Sequence, residues 1–75
     1  MTAKQLIKET LEKKIPRCTV DFEETLIPDR YVVVVVSPTF ERLRPIDREA
    51  AVFGFLEKLP AETMTIIDRL RCQVL

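Results

Sequence analysis

The sequence predicts a small α+β domain in the order α-β-β-α-(short α)-β, with a three-stranded mixed sheet and helices packed on it. Three patterns favour this class. Apolar residues recur at helical spacing near the N-terminus, five consecutive valines occupy the middle of the chain, and a second apolar segment begins at a proline. We expect a single domain over residues 1–75, because a chain of this length buries only about 60% of its unfolded surface in one thin core.

The first helix is predicted from residue 3 to the residue before Pro16. Thr2 is a favourable N-cap, and Gln5 follows at the spacing of a capping box. Apolar residues recur on one side of the segment until the proline ends it. Residues 18–23 then alternate apolar with polar side chains, which predicts a half-buried strand.

A second strand is predicted over residues 31–36, after a turn at residues 26–30. β-branched valines disfavour a helix and favour a sheet. The strand is apolar on both faces, so it is central and is either covered on each side or left open on one side for a partner.

The second helix is predicted to begin at Pro45 and to extend to about residue 58. Its apolar residues cover more than half of the circumference, so it is either sandwiched on both sides or carries an interface patch. We expect the interface, because complete burial is difficult in so small a domain. The chain's one glycine, Gly54, lies in this helix, where close packing would explain it. The predicted interface residues are Val52, Phe55, Leu56 and Leu59.

The last segment, residues 64–74, follows Pro60 and a short turn at residues 61–63. It fits a helix by spacing, and it fits a strand by alternation, with Asp68 as the one exception. We predict a strand, because alternation over so many residues is the stronger pattern. A helical crossover would make this strand parallel to the second one.

Composition excludes several classes of function. The 12 Lys+Arg balance the 12 Asp+Glu, which argues against a dedicated nucleic-acid-binding protein. Without histidine the chain has no imidazole base, and one glycine cannot build a phosphate-binding loop. We therefore expect no enzymatic activity. The longest apolar run falls far short of the ~20 residues of a membrane helix, so we expect a cytoplasmic protein that does not bind a membrane.

The chain has two cysteines, Cys18 and Cys72, which lie 54 positions apart. Two cysteines are too few to close a zinc site within one chain. We interpret them as small apolar side chains in a reducing compartment, with a ligand or redox thiol as the weaker alternative. A disulfide would need the two Cα atoms within about 7 Å.

Arginine is concentrated at the start of the second helix and on the polar face of the last strand. Its guanidinium binds phosphate and carboxylate in a fork geometry. Two alternatives stay open: solvated side chains balanced by nearby acids, or a weak anion- or nucleic-acid-binding surface. The candidates are Arg42, Arg44, Arg48, Arg69 and Arg71.

The central segment resembles the BolA family, whose fold is of the type II KH-like kind. The resemblance covers residues 3–71 and implies a non-enzymatic regulatory module. It further implies roles in transcription regulation and the stress response, and a protein partner that is either a monothiol glutaredoxin or a second copy. The matching residues are Val36-Ser37, Phe40-Glu41, Leu43, Arg48 and Val52-Phe53.

The sequence departs from this family where the family holds an iron–sulfur cluster. The family's histidine before the last strand corresponds to Glu62 or Thr63, and the loop 23–30 has neither the Cys nor the His found there. Glutamate is a poor replacement for such ligands, so we predict no cofactor. The first hypothesis is a protein-binding module. The alternatives are a nucleic-acid-binding transcriptional regulator that uses the arginines, and a cluster partner that uses Cys18 or Cys72.

Overall fold

The structure is a computed structural model that describes residues 2–74. It confirms the predicted α+β class and the predicted order of the elements. The elements are helix α1 (Ala3–Lys14), strand β1 (Thr19–Glu24), strand β2 (Tyr31–Val36), a 3-10 helix (Pro38–Arg42), helix α2 (Pro45–Leu56), helix α3 (Ala61–Met64) and strand β3 (Ile67–Gln73).

Helix α1 begins with the predicted capping box. The Gln5 backbone N–H donates to Thr2 Oγ1 at 3.2 Å, and the Thr2 N–H donates to Gln5 Oε1 at 3.1 Å. Two donors that the helix leaves unpaired are thereby satisfied. Ile7 and Leu11 lie one turn apart on the buried face, as the apolar spacing predicted.

Strand β2 lies between β1 and β3. It pairs antiparallel with β1 and parallel with β3, which confirms the predicted mixed sheet. Helices cover one face of this sheet, where Val33 and Val35 are fully buried. The buried core consists of Ile7, Leu11, Ile15, Val20, Val33, Val35, Phe40, Val52, Leu56 and Leu70.

Strand β3 begins later than predicted. Residues 61–64 form α3, so the strand starts at Ile67 instead of residue 64. Asp68 is the residue at which the pairing with β2 shifts register, in the manner of a β-bulge. The bulge explains why Asp68 interrupts the alternation in the sequence. Beyond it, Leu70 and Cys72 lie opposite the two buried valines of β2.

Helix α2 ends at Leu56, two residues earlier than predicted. Val52 and Leu56 are 0% exposed and pack in the core, so both are corrected from interface residues to core residues. Phe55 and Leu59 are partly buried and pack against the same core. The sequence pattern correctly indicated that α2 has more apolar surface than one packing face needs. The four residues chosen from it, however, lie on the side that packs against the core.

Ser37 joins three segments at the end of β2. Its side chain is fully buried, and its hydroxyl donates to the carbonyl of Pro16 at 2.9 Å. The same oxygen accepts the Thr39 backbone N–H at 3.2 Å and therefore caps the 3-10 helix. One hydroxyl thus ties the turn after α1 to the connection after β2.

We predict that Ser37→Ala lowers the free energy of unfolding by about 1–3 kcal/mol, because it removes both hydrogen bonds that the buried Ser37 hydroxyl makes to the backbone. Urea unfolding followed by circular dichroism measures the change. Thr65→Ala is the matched control, since it removes a hydroxyl that donates at an exposed site. Equal losses in both variants would contradict the structural role of Ser37.

Gly54 lies on the exposed side of α2, and nothing lies within 4 Å of where its Cβ would be. Close packing within this chain therefore does not explain it. We predict that Gly54→Ala raises the free energy of unfolding by about 1 kcal/mol through helix propensity. Thermal unfolding measures this change, and a destabilised variant would show that the helix needs glycine.

Candidate functional site

The exposed side of α2 carries the apolar surface that the sequence predicted elsewhere on this helix. Ile46 is 69% exposed and Phe53 is 40% exposed. Ala50 and Gly54 are exposed as well and fall at helical spacing from Ile46. We name these four residues the outer α2 surface. A helical wheel reveals the excess apolar arc but not which part of it faces the sheet.

A second exposed apolar site lies in the loop between β1 and β2. Leu26 is fully exposed and Ile27 is half exposed. The loop is held by Thr25, whose hydroxyl hydrogen-bonds the carbonyls of Ile27 and Arg30 at 3.1 Å and 2.9 Å. These two side chains are adjacent at one loop tip, whereas the outer α2 surface extends over about two turns of a regular helix.

The three candidate arginines near α2 have separate roles. Arg44 pairs with Asp47 at 3.0 Å on the surface. The Nε of Arg48 donates to the carbonyls of Phe40 and Leu43 at 2.8 Å and 2.9 Å, so this residue holds the end of the 3-10 helix. Arg48 therefore uses its Nε–H to hold the backbone.

Arg42 lines an open cleft of about 530 Å³ together with Arg17 and Thr39. Arg17 was not among the residues predicted from the sequence, and its backbone adopts a left-handed conformation with φ of 55°. This conformation could not be predicted from the sequence, because glycine and asparagine, not arginine, are the usual residues in the left-handed region.

The other two candidates, Arg69 and Arg71, lie on β3, on the sheet face opposite the helices. Nη1 of Arg71 lies 3.5 Å from Oε1 of Glu23 across the sheet. The candidate arginines therefore stay in the two separate regions that the sequence predicted, and each region has a carboxylate paired with one of its arginines.

The two cysteines are free and lie in different parts of the fold. Cys18 precedes β1, and Cys72 lies on β3, so β2 separates them. The Cys18 thiol donates to the carbonyl of Leu11 at 3.4 Å. Burial and the nearby carboxylate of Glu12 raise the pKa of this thiol. A ligand role requires the thiolate, which this environment disfavours.

The pKa of the Cys72 thiol is also raised, so this residue too stays protonated at neutral pH. Burial is the main cause, and the carboxylate of Glu49 adds to it, so the pKa rises from 9.0 to about 11 although Arg48 acts in the opposite direction. Within residues 2–74, no group of three or more Cys, Asp or Glu residues is arranged to hold a metal ion. Of the two positions that correspond to the family's histidine, Thr63 is buried and Glu62 is exposed.

Neither a family model nor a curated protein matches this sequence. Two solved structures are similar to it over 99% of the chain. BolA1 from Arabidopsis thaliana has a TM-score of 0.73 at 17% identity, with 93% of that protein covered. The XC975 protein, whose structure was determined in solution, has a TM-score of 0.63 at 22% identity, with 90% covered.

These likenesses define the class of fold, a small α+β domain with a mixed three-stranded sheet. More particularly, the chain has a BolA-like fold. The resemblance noted in the central segment is thus confirmed at the level of the fold. In the described part of the chain, every helix is too short or too polar to cross a bilayer.

We predict that the Cys72 thiol reacts slowly with iodoacetamide at neutral pH, because its raised pKa leaves little thiolate. The Cys18→Ser variant isolates this thiol. In the folded variant the alkylation rate should increase with pH up to the raised pKa of about 11. In denaturant the same rate should follow the ordinary thiol pKa of 9.0. Identical profiles for the folded and denatured chain would contradict the prediction.

Proposed function

We propose that this chain is a non-enzymatic BolA-like interaction module that binds a protein partner through the outer α2 surface. The observation that carries the proposal is the exposure of Ile46 and Phe53 on one side of a helix whose other side is fully packed. Burying one such side chain completely contributes about 1.5–3 kcal/mol, so their partial burial by a partner would add measurably to binding.

The chemistry of the chain supports binding in preference to catalysis. The sequence has no histidine, and both thiols have raised pKa values, so a nucleophile–base pair is hard to assemble. The arginines are an unfavourable basis for nucleic-acid binding, because they lie on separate elements with acidic neighbours such as Asp47 and Glu23.

The kind of partner is proposed by analogy with the BolA family. Because the chain has a BolA-like fold, a monothiol glutaredoxin-like protein is the first candidate and a second copy of the chain is the next. A regulatory role in the cytoplasm, in transcription or the stress response, is the corresponding setting. The partner would bind without an iron–sulfur cluster held by this chain, since the histidine and cysteine of the family pattern are replaced.

We predict that the full chain binds a purified monothiol glutaredoxin in titration calorimetry and that Ile46→Glu weakens this binding at least tenfold. The charged side chain would be buried without a partner at the interface, and a tenfold loss corresponds to about 1.4 kcal/mol. Ala61→Glu is the matched control, because it adds the same charge at an exposed helical residue away from α2.

Unchanged binding by Ile46→Glu would exclude the outer α2 surface. If neither the glutaredoxin nor a second copy binds at the outer α2 surface, the proposed interaction function is contradicted. Circular dichroism of both variants verifies that any loss of binding does not come from unfolding.

A further inference from the structure

The sheet face opposite the helices carries a row of valines. Val33 and Val35 belong to the core, whereas Val32, Val34 and Val36 alternate with them and lie on the other face. Val34 is only 7% exposed although it lies outside the core cluster, so neighbouring side chains on this face shield it. We name this side of the sheet the open sheet face.

Charged and polar side chains flank the valines in an ordered way. Residues directly opposite one another in a sheet share a face, so the register identifies the neighbours of each valine. At the two charged levels that pair in register, the β1 residues Asp21 and Glu23 are acidic and the β3 residues Arg69 and Arg71 are basic. Asp68 of β3 is the bulge residue and has no register partner on β2. The three cross-strand sets, in the order β1, β2, β3, are Asp21-Val34-Arg71, Glu23-Val32-Arg69 and Thr19-Val36-Gln73.

This arrangement is complementary to itself. Consider a second copy placed face to face, with a twofold axis in the interface along the direction of β2. The rotation exchanges the β1 and β3 sides and keeps the level along the strands. Asp21 then faces Arg71 of the second copy, Glu23 faces its Arg69, and the valine rows face each other. Opposite charges therefore meet on both sides at the Asp21–Arg71 and Glu23–Arg69 levels.

We propose that the open sheet face binds a second copy of this chain in that orientation. The proposal goes beyond the proposed function because it uses a different surface from the outer α2 surface. In the single chain, the 3.5 Å pair between Glu23 and Arg71 spans β2. Both side chains are about half exposed, so exchanging this pair for pairs between copies costs little.

The size of the face sets the strength of the association. Three strands spaced about 4.8 Å apart, each with six residues at about 3.3 Å, give a footprint of about 300 Å². A stable interface needs about 800 Å² from each partner. We therefore expect a weak dimer in rapid exchange, with a dissociation constant near millimolar and a marked dependence on salt.

The test is a dilution series of the isotopically labelled full chain, followed by NMR chemical shifts and by sedimentation. The unmodified chain should show concentration-dependent shifts on β1, β2 and β3 between about 0.05 and 2 mM at low salt, and these should diminish at about 0.5 M salt.

Two charge reversals make the test specific. Arg71→Glu places like charges opposite Asp21 of the second copy, and Asp21→Arg does so opposite Arg71, so each variant alone should lose at least threefold in self-association. An equimolar mixture should recover it, because each reversed residue then meets a partner of opposite charge. Lys8→Glu and Glu9→Arg are controls with the same charge changes at exposed positions on α1.

Association of the unmodified chain, loss in both variants and recovery in the mixture would support the proposal. A chain that stays monomeric to about 2 mM at low salt, or a mixture that does not recover, would overturn it. Concentration-dependent shifts confined to α2 and abolished by Ile46→Glu would also overturn it, and would assign self-association to the outer α2 surface. Glutaredoxin binding is measured separately, so either result leaves the proposed function to its own test.

Discussion

The central position of β2 is the constraint on which the rest of this structure depends. This strand is hydrogen-bonded along both edges, antiparallel on one side and parallel on the other, so its register is set twice. A slip by one residue would exchange the two faces and move Val33 and Val35 out of the core. The double pairing prevents that slip, even though the five valines are chemically identical.

The small size of the fold explains why apolar residues also lie outside the core. In a fold of this size the helices cover only one face of the sheet, and α2 packs with one side alone. Besides the loop tip at Leu26 and Ile27, apolar residues lie at two surfaces outside the core. These are the outer α2 surface, which is exposed, and the open sheet face, whose Val34 is shielded by its neighbours. Each is a proposed site of association.

Much of the fold could be predicted from local patterns. The capping box, the prolines that bound the helices and the β-branched strand all act over a few residues, and each element occurs where it was expected. Strand β3 was harder to place. Its bulge at Asp68 arises from pairing with a distant strand, and pairing leaves no period in the sequence.

The sequence by itself determined the order and type of the elements, and it excluded imidazole chemistry. Tertiary structure decided which apolar residues became core. Val52 and Leu56 are buried while Ile46 and Phe53 are exposed, although all four are apolar residues of one helix. It also aligned acidic, apolar and basic residues across the sheet. The physical reason is that the spacing of apolar residues depends only on the helix or strand that contains them. Which of its faces is buried depends on packing and strand register, and these involve residues far away in the sequence.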